Sequence, residues 1–209
     1  MSICEKGAIR SVLAGVEKLP PEMALYEVID DKEHSNSNKV FIDIDIHNKR
    51  VVIGFENAAT SEQIKNMVTW FSINKTHYDA NRIATRGTGY KLLTFSVRGE
   101  YTHISNIDDS KWISSYINTT KIYNAELDPD ISNKEFSEIL HASTTFIREQ
   151  EELFPSHQTI AQNKDNYYPF TPKTIIEAKN VSNETILNYF SNTENQENLI
   201  KRFRIKYYN

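Results

Sequence analysis

Two β-branched runs, Val40–Ile46 and Arg50–Phe55, constrain this chain more than any other feature. In the first, Val40, Ile42, Ile44 and Ile46 alternate with Asp43 and Asp45, the period of two that a half-buried strand shows. The second is nearly continuous, and His47-Asn48-Lys49 between them suits a hairpin turn. A hairpin alone is marginal in water, so further strands and a covering layer are required. With 209 residues, 39% of them hydrophobic, the chain has enough material for a sizeable core. We expect a single domain spanning residues 1–209, with residues 1–19 as an N-terminal segment and 182–209 as a helical tail.

The covering layer is legible as helical periodicity. Ile9 to Val16 shows it moderately and stops at Lys18-Leu19-Pro20-Pro21, where proline can start a helix but not continue one. A helix is predicted from about Glu22, with Leu25, Val28 and Ile29 on one side and Glu27, Asp30 and Asp31 on the other. After the polar loop 34–38 and the hairpin, Thr60 can cap a helix carrying Ile64, Met67, Val68 and Phe71 at i, i+3, i+4 and i+7. Residues 72–86 are polar without a period and run into Arg86-Gly87-Thr88-Gly89-Tyr90-Lys91. Leu92–Val97 predicts a short helical turn, the alternation around Tyr101–Ile104 a strand, and Trp112–Tyr123 another. Ser132 to about Glu152 reads as a helix with Phe136, Ile139, Leu140 and Phe146 inward. A proline-marked loop from Pro155 to Pro172 precedes the strand Thr174–Ala178. Residues 182–207 read as one or two helices broken near Asn192-Thr193.

Composition excludes several classes of function. A formal net charge of −4 argues against a surface dominated by phosphate contacts, so nucleic-acid binding is not expected. Lys201-Arg202-Phe203-Arg204-Ile205-Lys206 is locally basic, but helical tails carry such charge to stay solvated and to complement the helix dipole. Cys4, the single cysteine, allows no internal disulfide and no thiolate metal cluster. No apolar run is long enough to cross a bilayer, and an intracellular location is expected. The six histidines show no ligand spacing, and no Ser/His/Asp order is legible.

Glu27, Asp30 and Asp31 at i, i+3 and i+4 repel one another, a cost tolerated on a wet face and reversed when a cation sits there. Either reading suits the helix alone. The order of the segments is more informative than any one of them: an acidic helix, a hairpin, Glu56-Asn57 at a strand end, an amphipathic helix, a loop, then Gly-x-Gly-x-Lys opening a helix.

In this series the chain resembles the GHKL superfamily, the ATP-binding fold of gyrase-type topoisomerases, the large heat-shock chaperone, histidine kinases, mismatch-repair proteins and the Microrchidia ATPases, with a motif style nearest the last. The resemblance spans roughly residues 20–178. The family's A-L-x-E-L-V-D-N stands here as Ala24-Leu25-Tyr26-Glu27-Val28-Ile29-Asp30-Asp31, its D-x-G-x-G as Glu56-Asn57-Ala58-Ala59-Thr60, and its I-G-x-F-G-V-G-F-K as Ile83-Ala84-Thr85-Arg86-Gly87-Thr88-Gly89-Tyr90-Lys91. The resemblance implies a two-layer α/β sandwich, a mixed sheet with helices on one face. It also implies a pocket for ATP and Mg²⁺. Glu27 is then the general base for water and Asp31 the magnesium ligand, with Asp30 beside them. Glu56, Asn57, Ala58 and Thr60 belong to the adenine end, and Thr174 reaches the base through water. Arg86, Gly87, Thr88, Gly89, Tyr90 and Lys91 cradle the phosphates, whose charge suits backbone N–H groups at a helix N-terminus.

The sequence also departs from the family. Both glycines of the second motif are replaced, and Glu56 is longer by one methylene than the family's Asp, so altered base recognition is expected. Glu56 could equally face solvent at a strand end. The implied function is a slow ATPase acting as a conformational or dimerisation switch, with a homodimer, a protein partner or a further domain completing it. The alternative is a catalytically degenerate module of the same fold that serves protein interaction or dimerisation without turnover.

Overall fold

The computed structural model describes residues 39–61, 89–108, 111–150 and 172–207, together with 9, 13–16, 19–20, 22–23, 25, 64 and 170. Six strands and five helices are delimited among them. In chain order they are β1 (Val40–Asp45), β2 (Arg50–Phe55), α1 (Gly89–Val97), β3 (Glu100–Asp108), β4 (Lys111–Asn118), α2 (Thr119–Leu127), α3 (Asn133–Ala142), β5 (Thr144–Gln150), β6 (Thr174–Lys179), α4 (Glu184–Ser191) and α5 (Thr193–Tyr207).

The strands form one open sheet in the order β1-β2-β6-β3-β4-β5. Among the described residues every one of its five pairings is antiparallel, where the sequence led us to expect a mixed sheet. The hairpin fixes the first pairing. Asp45 accepts the Asn48 N–H at 2.9 Å through Oδ1 and the Asn48 Nδ2 at 2.7 Å through Oδ2, while Lys49 takes a φ of 50°. Those two hydrogen bonds hold the Asp45 carboxyl below its ordinary range.

Cross-strand rows show which face the helices cover. Val51, Ala178, Tyr101 and Ile117 lie in one row and Ile53, Ile176, His103 and Ser115 in the next. The apolar members of these rows form the main core with Leu93, Phe95, Ile122, Phe136, Leu140, Ile186, Leu187, Phe190 and Leu199 from the five helices. The architecture is therefore two layers, with the described helices on one face, as expected. On the other face Phe41, Val52 and Ile175 make a separate small cluster with Phe170 packed against it. Gly54 sits there because the Phe41 ring occupies the space that any side chain would need.

Two elements differ from their sequence reading. The strand expected through Tyr123 ends at Asn118, whose side-chain oxygen accepts the Lys121 N–H at 2.9 Å and so caps α2. A cap outweighs the β-branched character of Thr119, Thr120 and Ile122 because it satisfies a donor that the helix leaves open. The helix expected from Ser132 to Glu152 stops at Ala142. Ser132 and Glu135 form a capping box at its start, and β5 begins two residues after its end. Thr144 and Thr145 there pair with Ile117 and Tyr116 in the sheet, a tertiary demand that overrides the apparent helical period of Phe146.

Other readings hold within the described residues. α4 and α5 break at Asn192, which caps the second by accepting the Glu194 N–H at 2.8 Å. Glu22, Met23 and Leu25 are helical, with Leu25 buried. Glu27, Asp30 and Asp31 lie outside the described residues, as do most of the helix expected after Thr60, the stretch 72–88 and the loop 155–169.

Candidate functional site

β2 ends at Phe55 opposite Thr174, the first residue of β6, and Ser105 of β3 pairs with Thr174 on its other side. Beyond Phe55 the chain turns back over this end of the sheet. The Thr174 hydroxyl accepts the Ala59 N–H at 2.8 Å and donates to the Asn57 carbonyl at 2.8 Å. Ser105 Oγ donates to the Ala59 carbonyl at 2.9 Å and lies 3.2 Å from Thr174 Oγ1. Both hydroxyls are buried, so these bonds form in a medium of low dielectric where leaving them unmade is costly. The structure thus brings Asn57, Ala58 and Ala59 together with Thr174 across 115 residues of sequence. Thr60 is exposed at the end of the segment, where its carbonyl accepts the Ile64 N–H at 3.0 Å and opens a helical turn.

Glu56 is differently placed. Its N–H donates to the Lys39 carbonyl at 3.1 Å, and its carboxylate pairs with Lys39 Nζ at 3.2 Å with about one-third of the side chain (35%) exposed. One acceptor oxygen is directed at a surface cation. Such a pair is worth little in stability, but it sets where the carboxylate points.

Gly89, Tyr90 and Lys91 form the first turn of α1. The glycine-rich segment therefore opens a helix of nine residues, and the first N–H groups of a helix have no partner within it. Arg86, Gly87 and Thr88 lie outside the described residues. The far end of α1 is held firmly. Arg98 takes a left-handed φ of 51° and its N–H bonds the Thr94 carbonyl at 3.0 Å, while its guanidinium sits 4.3 Å from the Tyr123 ring centroid. The Thr119 hydroxyl donates to the Thr94 carbonyl at 2.8 Å and accepts the Gly99 N–H at 3.1 Å.

Between these two ends, on the helix-facing side of β3, stands His103. It is fully buried, with Nδ1 2.9 Å from Ser115 Oγ, and burial lowers its pKa to about 3. The imidazole is neutral at neutral pH, and its tautomer decides whether it donates to Ser115 or accepts from it. Ser105, Thr119 and Lys39 went unremarked in the sequence because single hydroxyl or Lys residues in alternating segments carry no spacing signal.

Among the described residues no group of three or more His, Cys, Asp or Glu side chains could hold a metal ion. Nor is any of their helices long and apolar enough to cross a membrane.

No protein-family model matches this sequence, and no curated protein matches it. Among solved structures the chain is similar to the N-terminal domain of a DNA repair protein, at 10% identity and a TM-score of 0.46 over 93% of this chain and 47% of that one. It is also similar to the ATPase region of Saccharomyces cerevisiae topoisomerase II. The form bound to dexrazoxane matches at 9% identity and a TM-score of 0.46, over 79% of this chain and 39% of that one. Another structure of the same region gives 10% identity and 0.43, over 79% and 38%. The chain spans less than half the length of these structures.

Proposed function

We propose that this chain binds ATP with magnesium and hydrolyses it slowly, as a nucleotide-controlled switch. The observation that carries the reading is the meeting of residues 57–59 with Thr174. These two segments are far apart in sequence, and the resemblance assigns both to one end of one pocket. A second support is that Gly89 opens α1, as a phosphate-binding helix start requires.

In this reading residues 56–60 and Thr174 hold the base, and Thr174 acts by fixing the backbone of the segment that lines it. Gly87, Thr88, Gly89 and Tyr90 present backbone N–H groups to the phosphates, with Arg86 and Lys91 adding positive charge. Asp31, beside Asp30, holds magnesium, and Glu27 takes a proton from the attacking water. Magnesium supplies neutralisation of phosphate charge when bound. Closure over the nucleotide would then drive dimerisation or engagement of a partner or further domain.

The ion pair between Glu56 and Lys39 favours a second reading, a module of the same fold that has lost base recognition and serves protein interaction. Thermal denaturation separates the two. ATP–Mg²⁺ should raise the midpoint, and Lys91→Ala should abolish the rise. Glu27→Ala should keep the rise and lose turnover. Absence of a shift with any nucleotide sinks the first reading and leaves the second.

A further inference from the structure

Cross-strand register fixes the side of the sheet on which Glu56 lies. Val40 pairs with Phe55, and the next pair, Lys39 with Glu56, is closed by the Glu56 N–H on the Lys39 carbonyl. Phe55 belongs to the main core beneath the helices, with Leu93 and Phe95 of α1, whereas Phe41 meets Gly54 on the opposite face. Side chains alternate along a strand, so Lys39 and Glu56 stand on the face of Phe41, away from α1. Their 3.2 Å ion pair is therefore separated by the sheet from the helix that begins at Gly89.

The hydroxyls that hold the same segment are equally committed. A hydroxyl has one proton to give. Thr174 gives its proton to the Asn57 carbonyl while accepting from the Ala59 N–H, and Ser105 gives its proton to the Ala59 carbonyl. The two oxygens lie 3.2 Å apart, with Thr174 1% exposed and Ser105 fully buried. A ligand lying against residues 57–59 thus meets no hydroxyl proton left to recognise it. Ala58 and Ala59 add methyl groups, which carry no hydrogen-bonding pattern.

Adenine and guanine have rings of one size and differ in their edges. Where adenine carries an amine donor at C6, guanine carries a carbonyl acceptor. A site tells them apart only through a donor or acceptor held toward that edge, and such a site separates analogues by orders of magnitude. We propose that this chain takes purine nucleoside triphosphates without distinguishing adenine from guanine, and that the phosphates supply the anchor. The proposal rests on the nucleotide binding set out above and names the class of nucleotide that the site accepts.

Isothermal titration of the full chain with ATP, GTP and ITP in the presence of Mg²⁺ tests this. The three dissociation constants should agree within about threefold, and adenosine without phosphates should show no binding at about 1 mM. A preference of about tenfold or more for any one of the three overturns the proposal and leaves nucleotide binding intact, as does adenosine that binds as tightly as ATP. Failure of all three to bind overturns both. Thr174→Val should weaken ATP and GTP by one common factor, because the hydroxyl shapes the segment and does not touch the base. A loss confined to ATP means that this hydroxyl reads adenine, and the proposal falls. Lys39→Ala changes an exposed side chain and releases the Glu56 carboxylate, so the ratio of the two constants should stay as it is. A gain of about tenfold for ATP alone in that variant places Glu56 within reach of the base and also overturns the proposal.

Discussion

Two threonine hydroxyls hold opposite ends of the helix-facing side of β3, and their surroundings differ. At the Thr119 end every partner belongs to the boundary of a regular element, and the bonds are doubled. The Thr94 carbonyl also accepts from the Arg98 N–H at 3.0 Å, and the Gly99 carbonyl also accepts from the Thr119 N–H at 3.0 Å. At the Thr174 end the partners are the carbonyl of Asn57 and the N–H of Ala59, in a segment without regular structure that two side-chain hydroxyls tie to the sheet. The first arrangement survives the loss of one bond. The second ties a loop to the sheet through side chains, so it is the end that ligand binding can shift at small cost.

His103, between the two, gives the largest expected effect. Its folded pKa, about 3, lies below the ordinary 6.5, so the unfolded chain binds more protons between those values. Its contribution is fully present above pH 6.5 and is lost as pH falls toward 3. At about 1.4 kcal/mol per pH unit, roughly 3 kcal/mol should be gone near pH 4. Urea denaturation as a function of pH measures this. His103→Phe should flatten that part of the profile, and an unchanged slope would remove His103 as its source.

Replacing the two threonines sets the ends against each other. Thr174→Val removes the acceptor of the Ala59 N–H and the hydroxyl donor to the Asn57 carbonyl and should cost about 2 kcal/mol. Thr119→Val orphans chiefly the Gly99 N–H, because the carbonyls keep other donors, and should cost about 1 kcal/mol. The rise in thermal midpoint with ATP–Mg²⁺ should shrink in the Thr174 variant and persist in the Thr119 variant. Equal losses in both would mean that the two ends respond as one body. The smallest effect belongs to Ser105→Ala. It removes the bond to the Ala59 carbonyl and the contact with the Thr174 hydroxyl at a cost of about 1 kcal/mol, and hydrogen exchange at Ala59 should quicken without a change at Gly99.

The sequence revealed best what local pattern dictates. The alternation of Val40, Ile42 and Ile44 placed β1, and the turn at Asn48 placed the hairpin. Asn192 divided the last two helices. It misled where a tertiary partner decided the outcome. Thr119 to Tyr123 reads as strand until Asn118 is seen capping Lys121, and Thr144 to Gln150 reads as helix until β4 is seen beside it. The sheet's antiparallel sense was equally hidden, since strand order depends on contacts far apart in sequence. Of the candidate site, the 56–60 segment and Thr174 were nominated by resemblance alone. Their juxtaposition depends on Ser105 and on the pairing of β6 with β2 and β3, neither of which leaves a periodic trace.

That pairing has a consequence for how the protein is made. β6, residues 174–179, lies between β2 and β3, so two strands that precede it by at least 66 residues are joined only through one that comes much later. As the polypeptide leaves the ribosome, β1 with β2 and β3 with β4 can form as separate ribbons, each with an unsatisfied edge. They cannot become one sheet until residue 179 has emerged. Such distant closure makes folding slow and leaves open edges exposed meanwhile, which invites association with other nascent chains. The late strand is the keystone of assembly, and a chain truncated before it would be left as two halves without a common core.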